Sequence, residues 1–342
     1  MVEMTPYRKD ILSLFDNGLD LKPLNGSKIL VAGASGLIGS CVVDVLMANP
    51  HRDYEIIAMG RNMERMRKVF SRYAYDAGFS IMEKDITEPF DNAAVGIDYI
   101  IDAASNASPN FFKSYPVEVM KANFDGVVNL LDYGMINKTR RTVYLSSGEI
   151  YGEGCGKPFS EKDSGYVDCA SVRACYPSSK RAAETLCVAY AEEYRQDVVI
   201  ARLCHTYGPG FTEKDNRVYA QFIRNVINGE DIVLKSEGGQ YRSWLYVVDA
   251  ANAILQLLLK GENKNAYNVA NPQSNVTIRQ LAETIARQTG HQVMFDIPQG
   301  TARGNTTPIT KATFDTSKIQ AIGWRPLFDL ERGLEHTIKS FA

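Results

Sequence analysis

Tyr176 and Lys180 lie four residues apart at the start of an apolar helix, within the sequence Tyr-Pro-Ser-Ser-Lys. Residues with this spacing share one helix face, which places the Lys ammonium beside the Tyr phenol. A free Tyr has a pKa of about 10 and is a poor base at neutral pH, but a neighbouring cation favours the phenolate. The pair therefore predicts a base that takes a proton from a hydroxyl while a hydride leaves the carbon. An ordinary solvated helix face is the alternative, so the prediction depends on the rest of the chain.

A glycine-rich turn supplies the first support. Residues 28–32 (Lys-Ile-Leu-Val-Ala) have the length and apolarity of a strand, and residues 33–39 (Gly-Ala-Ser-Gly-Leu-Ile-Gly) follow at once, before a helix predicted over 40–48. This order is typical of a dinucleotide site, because glycines let the backbone approach a pyrophosphate whose charge the helix N-terminus favours. A tight turn without a ligand is the alternative. The predicted cofactor contacts here are Gly33, Ser35, Gly36, Leu37, Ile38 and Gly39.

The end of the second predicted strand bears on the choice of cofactor. The strand covers residues 54–59 and is followed by Gly60, Arg61 and Asn62, with no acidic residue to hold a ribose 2′-hydroxyl. An Arg at this position accommodates a 2′-phosphate. The sequence therefore predicts an NAD(P) site that favours NADP. The alternative is that Arg61 belongs to a solvated basic face with the cationic residues of 65–68.

Further apolar segments predict a parallel sheet. Strands are predicted at residues 81–84, 99–104, 142–145 and 198–201, with a helix over 115–135 between two of them. Strands that alternate with helices form a parallel sheet covered on both faces, and ligands bind beyond the carboxyl ends of its strands. The residues that this arrangement brings towards the cofactor are Asp85, Ile86, Ala103, Ala104 and Ser105, and the fifth strand leads to Ser147 and Glu149.

The alternation of predicted strands and helices indicates the domains. The fold class is α/β, a Rossmann doubly wound parallel sheet with a smaller C-terminal α/β substrate-binding lobe. Residues 1–26 are expected to form an N-terminal extension with a short helix over 6–15. Residues 27–203 and about 232–258 form the predicted dinucleotide-binding domain, and about 204–231 and 259–342 form the lobe. Within these ranges, helices are predicted over 217–228, 250–259 and 277–289, and short strands over 232–234 and 244–248.

Composition excludes several classes of function. The 38 basic and 40 acidic side chains nearly cancel, which gives no reason to expect nucleic acid or an anionic membrane as partner. The six cysteines show no metal-ligand spacing, so we expect reduced thiols and no metal site. No signal peptide and no apolar run of about 18 residues is visible. These features together predict a cytoplasmic protein.

Taken in order, the motifs resemble those of the extended short-chain dehydrogenase/reductases of the nucleotide-sugar epimerase/dehydratase family. The resemblance covers residues 27–338 and is most similar to UDP-glucuronate decarboxylases around 106–109 and 173–176. Its motifs are Gly33-x-x-Gly36-x-x-Gly39, Asp85-Ile86, Asn123, Ser146-Ser147-x-x-x-Tyr151-Gly152, Tyr176-x-x-x-Lys180, Tyr207-Gly208-Pro209, Arg242-x-x-x-Tyr246 and Asp315-x-Ser317-Lys318.

The resemblance implies roles for the catalytic residues. Tyr176 is the base, Lys180 orients the nicotinamide ribose and lowers the Tyr pKa, and Ser147 hydrogen-bonds the reacting hydroxyl. The sugar C4 is oxidised to a ketone, after which members of the family differ. Glu149 matches an acidic residue that dehydratases and decarboxylases use near C5, or it only holds the loop. Gly148 stands where 4,6-dehydratases carry Asp and decarboxylases carry Ser, so it removes a polar group.

The resemblance also implies substrate contacts and a partner. Arg242 matches an Arg that binds the diphosphate, and His205 replaces an Asn that holds the sugar or a phosphate. The remaining substrate-binding candidates are Ser108, Ser147, Arg217 and, by a loose match, Arg303. Helices 115–135 and 176–195 match those that pair two subunits, so a homodimer is implied.

Four functions remain open at this point. The favoured one is a 4-epimerase acting on a nucleotide-linked sugar through transient C4 oxidation. The main alternative is a decarboxylase or 4,6-dehydratase that uses Glu149. A third is an NADPH-dependent keto-sugar reductase, and a fourth is a non-catalytic NADP-binding sensor, against which the presence of Ser147, Tyr176 and Lys180 argues.

Overall fold

Apolar strands of the first two thirds of the chain build the centre of the molecule. The computed structural model describes residues 4–91, 95–213, 215–297 and 310–341. The strands are β1 (Lys28–Ala32), β2 (Glu55–Gly60), β3 (Phe79–Glu83), β4 (Tyr99–Asp102), β5 (Arg141–Ser147), β6 (Val198–Leu203), β7 (His205–Tyr207), β8 (Ile232–Leu234), β9 (Tyr241–Tyr246), β10 (Ala266–Val269), β11 (Asn275–Thr277), β12 (Val293–Phe295) and β13 (Lys311–Ala312). The helices are α1 (Pro6–Asp16), α2 (Leu37–Ala48), α3 (Met63–Val69), α4 (Pro109–Ser114), α5 (Pro116–Asn137), α6 (Cys175–Glu193), α7 (Val218–Ile227), α8 (Val247–Lys260), α9 (Ile278–Thr289), α10 (Ser317–Ala321) and α11 (Leu330–Lys339).

Seven strands form one sheet in the order β10-β6-β5-β4-β1-β2-β3, and every neighbouring pair is parallel. The order runs outwards in both directions from β1, which is the doubly wound arrangement. Burial of both faces explains the unbroken apolar sequence of β1, where residues 29–32 are inaccessible to solvent. The predicted α/β fold class is confirmed, and so are its six strands, whose ends differ from the predicted ones by at most two residues.

The C-terminal part contributes two small sheets. Strands β11, β9 and β13 pair with one another, β7 pairs with β9, and β12 pairs with β8. The predicted strand over 244–248 is wrong at its end, because α8 begins at Val247 and the strand itself begins at Tyr241. Helices α3, α4, α10 and α11 lie outside the predicted elements. Arg303, a predicted substrate contact, falls outside the described residues.

Strand pairing bears on the predicted division into domains. Strand β10 pairs with β6 in the central sheet, although its residues fall in the range expected for the lobe. Strand β8 pairs with β12 instead, although its residues were expected in the dinucleotide-binding domain. One continuous apolar core joins Val31 of the sheet, Trp244 of β9 and Leu281 of α9, and it includes Ile11 of α1. The lobe and the N-terminal helix therefore share the core of the sheet.

Candidate active site

Tyr176 lies in the first turn of α6, directly after a short 3₁₀ turn at Val172–Ala174. Its side chain is buried, and its ring stacks on Phe112 of α4 at a centroid distance of 4.7 Å. The ring is thereby held in one orientation at the mouth of the cleft beyond the carboxyl ends of the strands. Phe112 had no counterpart in the sequence prediction.

The electrostatics around this phenol differ from the expectation. Burial and the nearby Glu149 carboxylate raise the pKa of Tyr176 to about 12, and the Ser147 and Ser105 hydroxyls oppose that rise. The expected lowering of the phenol pKa by Lys180 is wrong for this geometry, because burial outweighs every favourable contact. The structure does bring Ser147 and Tyr176 together, as the motifs predicted.

The Lys180 side chain points towards strand β5 of the central sheet. Its Nζ donates a hydrogen bond to the Leu145 carbonyl oxygen at 2.7 Å and lies 4.6 Å from the centre of the Tyr144 ring. Burial lowers the pKa of Lys180 to about 8. The one-turn spacing from Tyr176 thus places the ammonium beside β5, at the strand whose end carries Ser147.

A hydrogen-bonded chain supports the first turn of α6. Ser105 donates to Asn123 Oδ1 at 2.8 Å, and Asn123 Nδ2 donates to Ser179 Oγ at 3.0 Å. Ser179 in turn donates to the carbonyl oxygens of Cys175 and Tyr176, at 2.6 and 3.0 Å. Asn123 is buried in α5, and sequence reasoning noted it as a motif without giving it a place in the site. This chain fixes the backbone that carries the phenol.

Glu149 is paired with an arginine. Strand β5 ends at Ser147, whose Oγ accepts a hydrogen bond from the Glu149 backbone N–H at 3.2 Å. Both Glu149 carboxylate oxygens accept hydrogen bonds from one nitrogen of Arg173, at 2.8 and 2.7 Å. The Arg173 guanidinium also lies 4.9 Å from the centre of the Phe112 ring. Glu149, Arg173, Phe112 and Tyr176 are therefore one contiguous cluster.

Gly148 has an aromatic neighbour. A Cβ atom added at Gly148 would overlap the Phe314 ring, which arrives from the C-terminal part of the chain beside β13. Phe314 also packs against Tyr151 and Phe159. An apolar wall thus stands where the resemblance implied a polar side chain, and no side chain fits between the Gly148 backbone and this ring.

The glycine turn has the shape that a dinucleotide needs. Gly33 has a φ of +68°, and a Cβ there would lie 2.6 Å from the Ala103 carbonyl oxygen. A Cβ at Gly39 would lie 2.5 Å from the Gly33 carbonyl oxygen. Helix α2 starts at Leu37 instead of residue 40, with Gly36 as its N-cap residue, so its free N–H groups face the turn. These observations fit a pyrophosphate at the N-terminus of α2.

The adenosine end of the site is built from β2 and β3. Arg61 follows β2 and is exposed, and Arg65 reaches back to donate to the Ser35 carbonyl oxygen at 2.8 Å. Asp85 accepts hydrogen bonds from the Thr87 backbone and hydroxyl, at 2.9 and 2.8 Å, so its carboxylate holds the loop. Ile86 is buried beside Gly126 of α5. Ile86 therefore forms an apolar wall beside α5.

Cationic side chains line the opposite wall of the cleft. Arg242 of β9 is buried, which lowers its pKa to about 10, while the Glu149 charge opposes that change. Arg217 is held by Asp215 and lies 3.0 Å from the Tyr219 hydroxyl. The Ser108 hydroxyl donates to Asn216 Oδ1 at 2.7 Å. Arg242 and Arg217 thus converge on the space beside Glu149 and Tyr176.

His205 opens onto the same space. Its ring lies 5.3 Å from that of Trp244, and its side chain is accessible from the cleft. Enclosure by the cleft walls and the nearby Arg242 and Arg217 guanidinium groups lower the pKa of His205. The imidazole is therefore neutral at physiological pH, where it can donate and accept one hydrogen bond each.

The described residues contain neither a metal-binding cluster nor a membrane-spanning helix. Within residues 4–341, apart from the gaps given above, no cluster of three or more His, Cys, Asp or Glu side chains has the geometry to hold a metal ion. Nor does any helix in that part of the chain have the length and apolarity to cross a bilayer.

A seven-stranded doubly wound sheet, a glycine turn at a helix N-terminus and a Ser-Tyr-Lys site define the class of NAD-dependent short-chain dehydrogenase/reductase enzymes. The chain belongs to the NAD dependent epimerase/dehydratase family, whose sequence model matches residues 29–270. It is 32% identical to UDP-glucuronic acid decarboxylase 5 of Arabidopsis thaliana, over 91% of this chain and 90% of that protein. It is 29% identical to UDP-glucuronic acid decarboxylase 1 of Xenopus tropicalis, over 92% of this chain and 72% of that protein.

Solved structures confirm the fold. A UDP-N-acetylglucosamine 4-epimerase from Methanobrevibacter ruminantium M1 matches with a TM-score of 0.80 and 24% identity, over 93% of this chain and 98% of that chain. The dTDP-glucose 4,6-dehydratase DesIV of Streptomyces venezuelae, determined with NAD, matches with a TM-score of 0.79 and 22% identity, over 91% and 95% of the two chains. The family model over residues 29–270 and the 32% identity given above confirm the predicted resemblance to this enzyme family.

Proposed function

We propose that this protein is a decarboxylase of a UDP-linked hexuronic acid that acts through transient oxidation at C4. The observation that carries the proposal is the cluster of Glu149, Arg173 and Arg242 beside Tyr176. A cleft with this excess of guanidinium groups suits a substrate with both a diphosphate and a carboxylate. The substrate itself is proposed by analogy with the relatives named above.

The chemistry follows from the positions of the side chains. Tyr176 takes the proton of the C4 hydroxyl and Ser147 hydrogen-bonds its oxygen; the glycine turn would hold NAD(P), which would supply the hydride acceptor. With a ketone at C4, the carboxylate on C5 is that of a β-keto acid, so the bond between C5 and the carboxyl carbon breaks, CO₂ leaves, and the electron pair of that bond moves to the C4 oxygen as an enolate. The enolate takes a proton from solvent at C5, which restores the C4 ketone. Return of the hydride to C4, with the Tyr176 proton delivered to its oxygen, gives the pentose. The Glu149 carboxylate lies where it can assist proton transfer at C5.

A 4,6-dehydratase is less well supported. Its reaction needs an acid that protonates the leaving 6-hydroxyl, and the position expected for that acid is Gly148. Because the Phe314 ring leaves no space for a side chain there, the loop offers no second acidic group beside Glu149.

A 4-epimerase is the second candidate, and the Glu149–Arg173 pair favours it. Both Glu149 carboxylate oxygens already accept hydrogen bonds from Arg173, which ties the side chain to Arg173 instead of leaving it free for a substrate. In that case Glu149 holds the loop, and the only chemistry is oxidation and reduction at C4. A keto-sugar reductase or a silent sensor has no such specific feature in its favour.

One substrate separates these candidates. Purified protein is incubated with UDP-glucuronate, and products are followed by ¹H NMR together with CO₂ release from substrate labelled with ¹³C at C6. The proposal expects a UDP-pentose and one CO₂ per turnover. Formation of UDP-galacturonate without CO₂ would establish the epimerase. Net consumption of NADPH with a 4-keto sugar would establish the reductase, and no turnover of any nucleotide sugar would leave the sensor.

The cofactor and the assembly complete the proposal. Arg61 and Arg65 at the end of β2 support a preference for NADP within this NAD-dependent family. Val117, Met120 and Phe124 form an exposed apolar stripe along α5, next to α6. Residues spaced three and four apart share one helix face, so this stripe supports a homodimer through α5 and α6.

A further inference from the structure

Asp102 is a buried carboxylate to which the proposed reaction gives no role. It is the last residue of β4 and is 3% exposed. Its Oδ1 accepts a hydrogen bond from the Ala104 N–H at 3.1 Å, which helps to shape the turn along the cofactor cleft. A carboxylate rarely remains at such a depth without a cation to offset its charge.

The sheet register brings this carboxylate to Lys180. Asp102 is paired with Tyr144 across the parallel strands β4 and β5, so their side chains leave the same face of the sheet. The Lys180 ammonium, 2% exposed, lies 4.6 Å from the centre of the Tyr144 ring. Asp102 and Lys180 therefore flank the same ring. Within the described residues no direct ion pair of 4.0 Å or less joins them, so the attraction acts across a short space of low polarity.

The other ionisable groups near this space are either paired or uncharged. Glu184 of α6 is bound by the Arg202 guanidinium, with a contact of 2.7 Å, and it also accepts from Ser146 at 2.5 Å. Cys187 of α6 and the Tyr144 phenol are uncharged, because burial raises the pKa of both groups. Tyr176, one turn before Lys180, is also protonated in this geometry.

We propose that Asp102 is a positioning residue, the internal counter-ion that keeps Lys180 protonated and seated between Leu145 and the Tyr144 ring. The inference rests on the proposed function only for the importance of Lys180 to the reaction. The juxtaposition of the two buried charges does not depend on which nucleotide sugar is bound.

The sign of the effect is fixed by the two charges. The Asp102 carboxylate favours the charged form of Lys180, and burial of each group has the opposite effect on its own charge. Burial raises the pKa of Asp102 to about 6 and lowers that of Lys180 to about 8. Both groups are therefore charged between these values, and below about pH 6 the carboxylate becomes neutral and stops supporting Lys180.

The direct test is the titration of Lys180 by NMR with lysine labelled with ¹³C at Cε, without cofactor or substrate. The Lys180 resonance is assigned by its loss in Lys180→Met. We expect Asp102→Asn to lower the Lys180 pKa by about one unit, a tenfold change in its protonation equilibrium. Asp249→Asn is the matched control, because Asp249 is equally buried and accepts hydrogen bonds from Leu327 and Phe328 away from this cluster. An unchanged Lys180 pKa in Asp102→Asn would overturn the proposal.

A reciprocal measurement covers the case in which Asp102→Asn does not fold. In Lys180→Met, the ¹³Cγ resonance of Asp102 should report a higher carboxyl pKa than in the unaltered protein, and an equal pKa contradicts the proposal.

Kinetics supply a further readout. The ratio of turnover in the unaltered protein to that in Asp102→Asn should be near one at pH 5.5 and rise to about fivefold at pH 8, and Asp102→Glu should restore most of the loss. A ratio that does not change with pH indicates a merely structural role. Absence of turnover on every nucleotide sugar would refute the proposed function and leave the NMR result as the test of Asp102.

Discussion

One nitrogen of Arg173 donates to both carboxylate oxygens of Glu149, at 2.8 and 2.7 Å, and this pair sets the charge next to the Tyr176 phenol. The Glu149 charge raises the pKa of Tyr176, and the Arg173 cation is the ion-pair partner of that charge. Because a single nitrogen makes both contacts, a Lys ammonium could replace the guanidinium. Three substitutions separate these effects.

In Glu149→Gln, the ascending limb of the pH profile of C4 oxidation should move to lower pH. Removal of the neighbouring negative charge lowers the phenol pKa, so phenolate forms earlier as pH rises. Arg173→Ala should move the same limb to higher pH, and Arg173→Lys should leave it close to that of the unaltered protein. Stopped-flow absorbance of the reduced nicotinamide at 340 nm, measured from pH 6 to 10, reports the limb. Identical limbs in all four proteins would refute this electrostatic coupling.

Tyr176→Phe should reduce turnover by about 10²- to 10⁴-fold, the usual contribution of a general acid–base group. Cofactor binding should persist, because the glycine turn and α2 are untouched. Isothermal titration with NAD and with NADP measures that binding. Tyr194→Phe is the matched control on the exposed end of the same helix and should keep full turnover. Equal activity of the two variants would remove Tyr176 from the mechanism.

Gly148→Ala should lower the free energy of unfolding by about 1–3 kcal/mol, the usual cost of overpacking. The added Cβ overlaps the Phe314 ring, which is itself held against Phe159. Gly239→Ala is the control, since a Cβ there meets no atom within 4 Å. Urea unfolding measures both variants. The double variant Gly148→Ala, Phe314→Ala should lose less than the two single effects added together, and simple additivity would contradict the overlap.

His205 should remain uncharged throughout the physiological pH range, because the cleft and the Arg242 and Arg217 cations lower its pKa. Its imidazole ¹H resonances should therefore not move between pH 5 and pH 8. The chain has four His residues, and the resonance missing in His205→Asn assigns this one. His205→Asn should consequently keep the shape of the pH profile of activity. A His205 titration within this range would show that the cations do not act on the ring.

Arg61→Ala should weaken NADP binding by about 1.5–3 kcal/mol, the contribution of one charge-assisted hydrogen bond, and leave NAD binding unchanged. Fluorescence titration with both cofactors measures the difference. Arg67→Ala, which removes an exposed charge from the same basic face on α3, is the control. Equal affinity of the unaltered protein for NAD and NADP would end the assignment of a 2′-phosphate site to Arg61.

Local pattern was sufficient to predict six of the seven strands of the central sheet and the meeting of Ser147 with Tyr176. Strand β1 is apolar from Ile29 to Ala32 because both its faces are covered, and the glycines after it permit a turn that other residues do not. The seventh strand escaped prediction because β10 has only four residues and pairs with β6, a distant segment of the chain. Its position is decided by tertiary packing, of which a short apolar run gives no sign.

The surroundings of the reactive groups were the less predictable part of the site. Phe112 and Tyr176 belong to helices far apart in the chain, and Gly148 and Phe314 are also distant in sequence. Nothing in the local sequence of Lys180 indicated that its ammonium would point to the Leu145 carbonyl. Burial also reversed the expected direction of the Tyr176 pKa shift. Desolvation depends on how many atoms surround the phenol and not on the spacing of two residues.

Strand β10, at the edge of the large sheet, also affects folding during synthesis of the chain. Until Ala266–Val269 leaves the ribosome, the nascent chain presents an open β6 edge with unpaired N–H and C=O groups. A product truncated before that segment would keep an unpaired strand edge to which other chains can pair. The large sheet is therefore complete only when residues 266–269 have been synthesised. Expression of the preceding residues alone should yield aggregates.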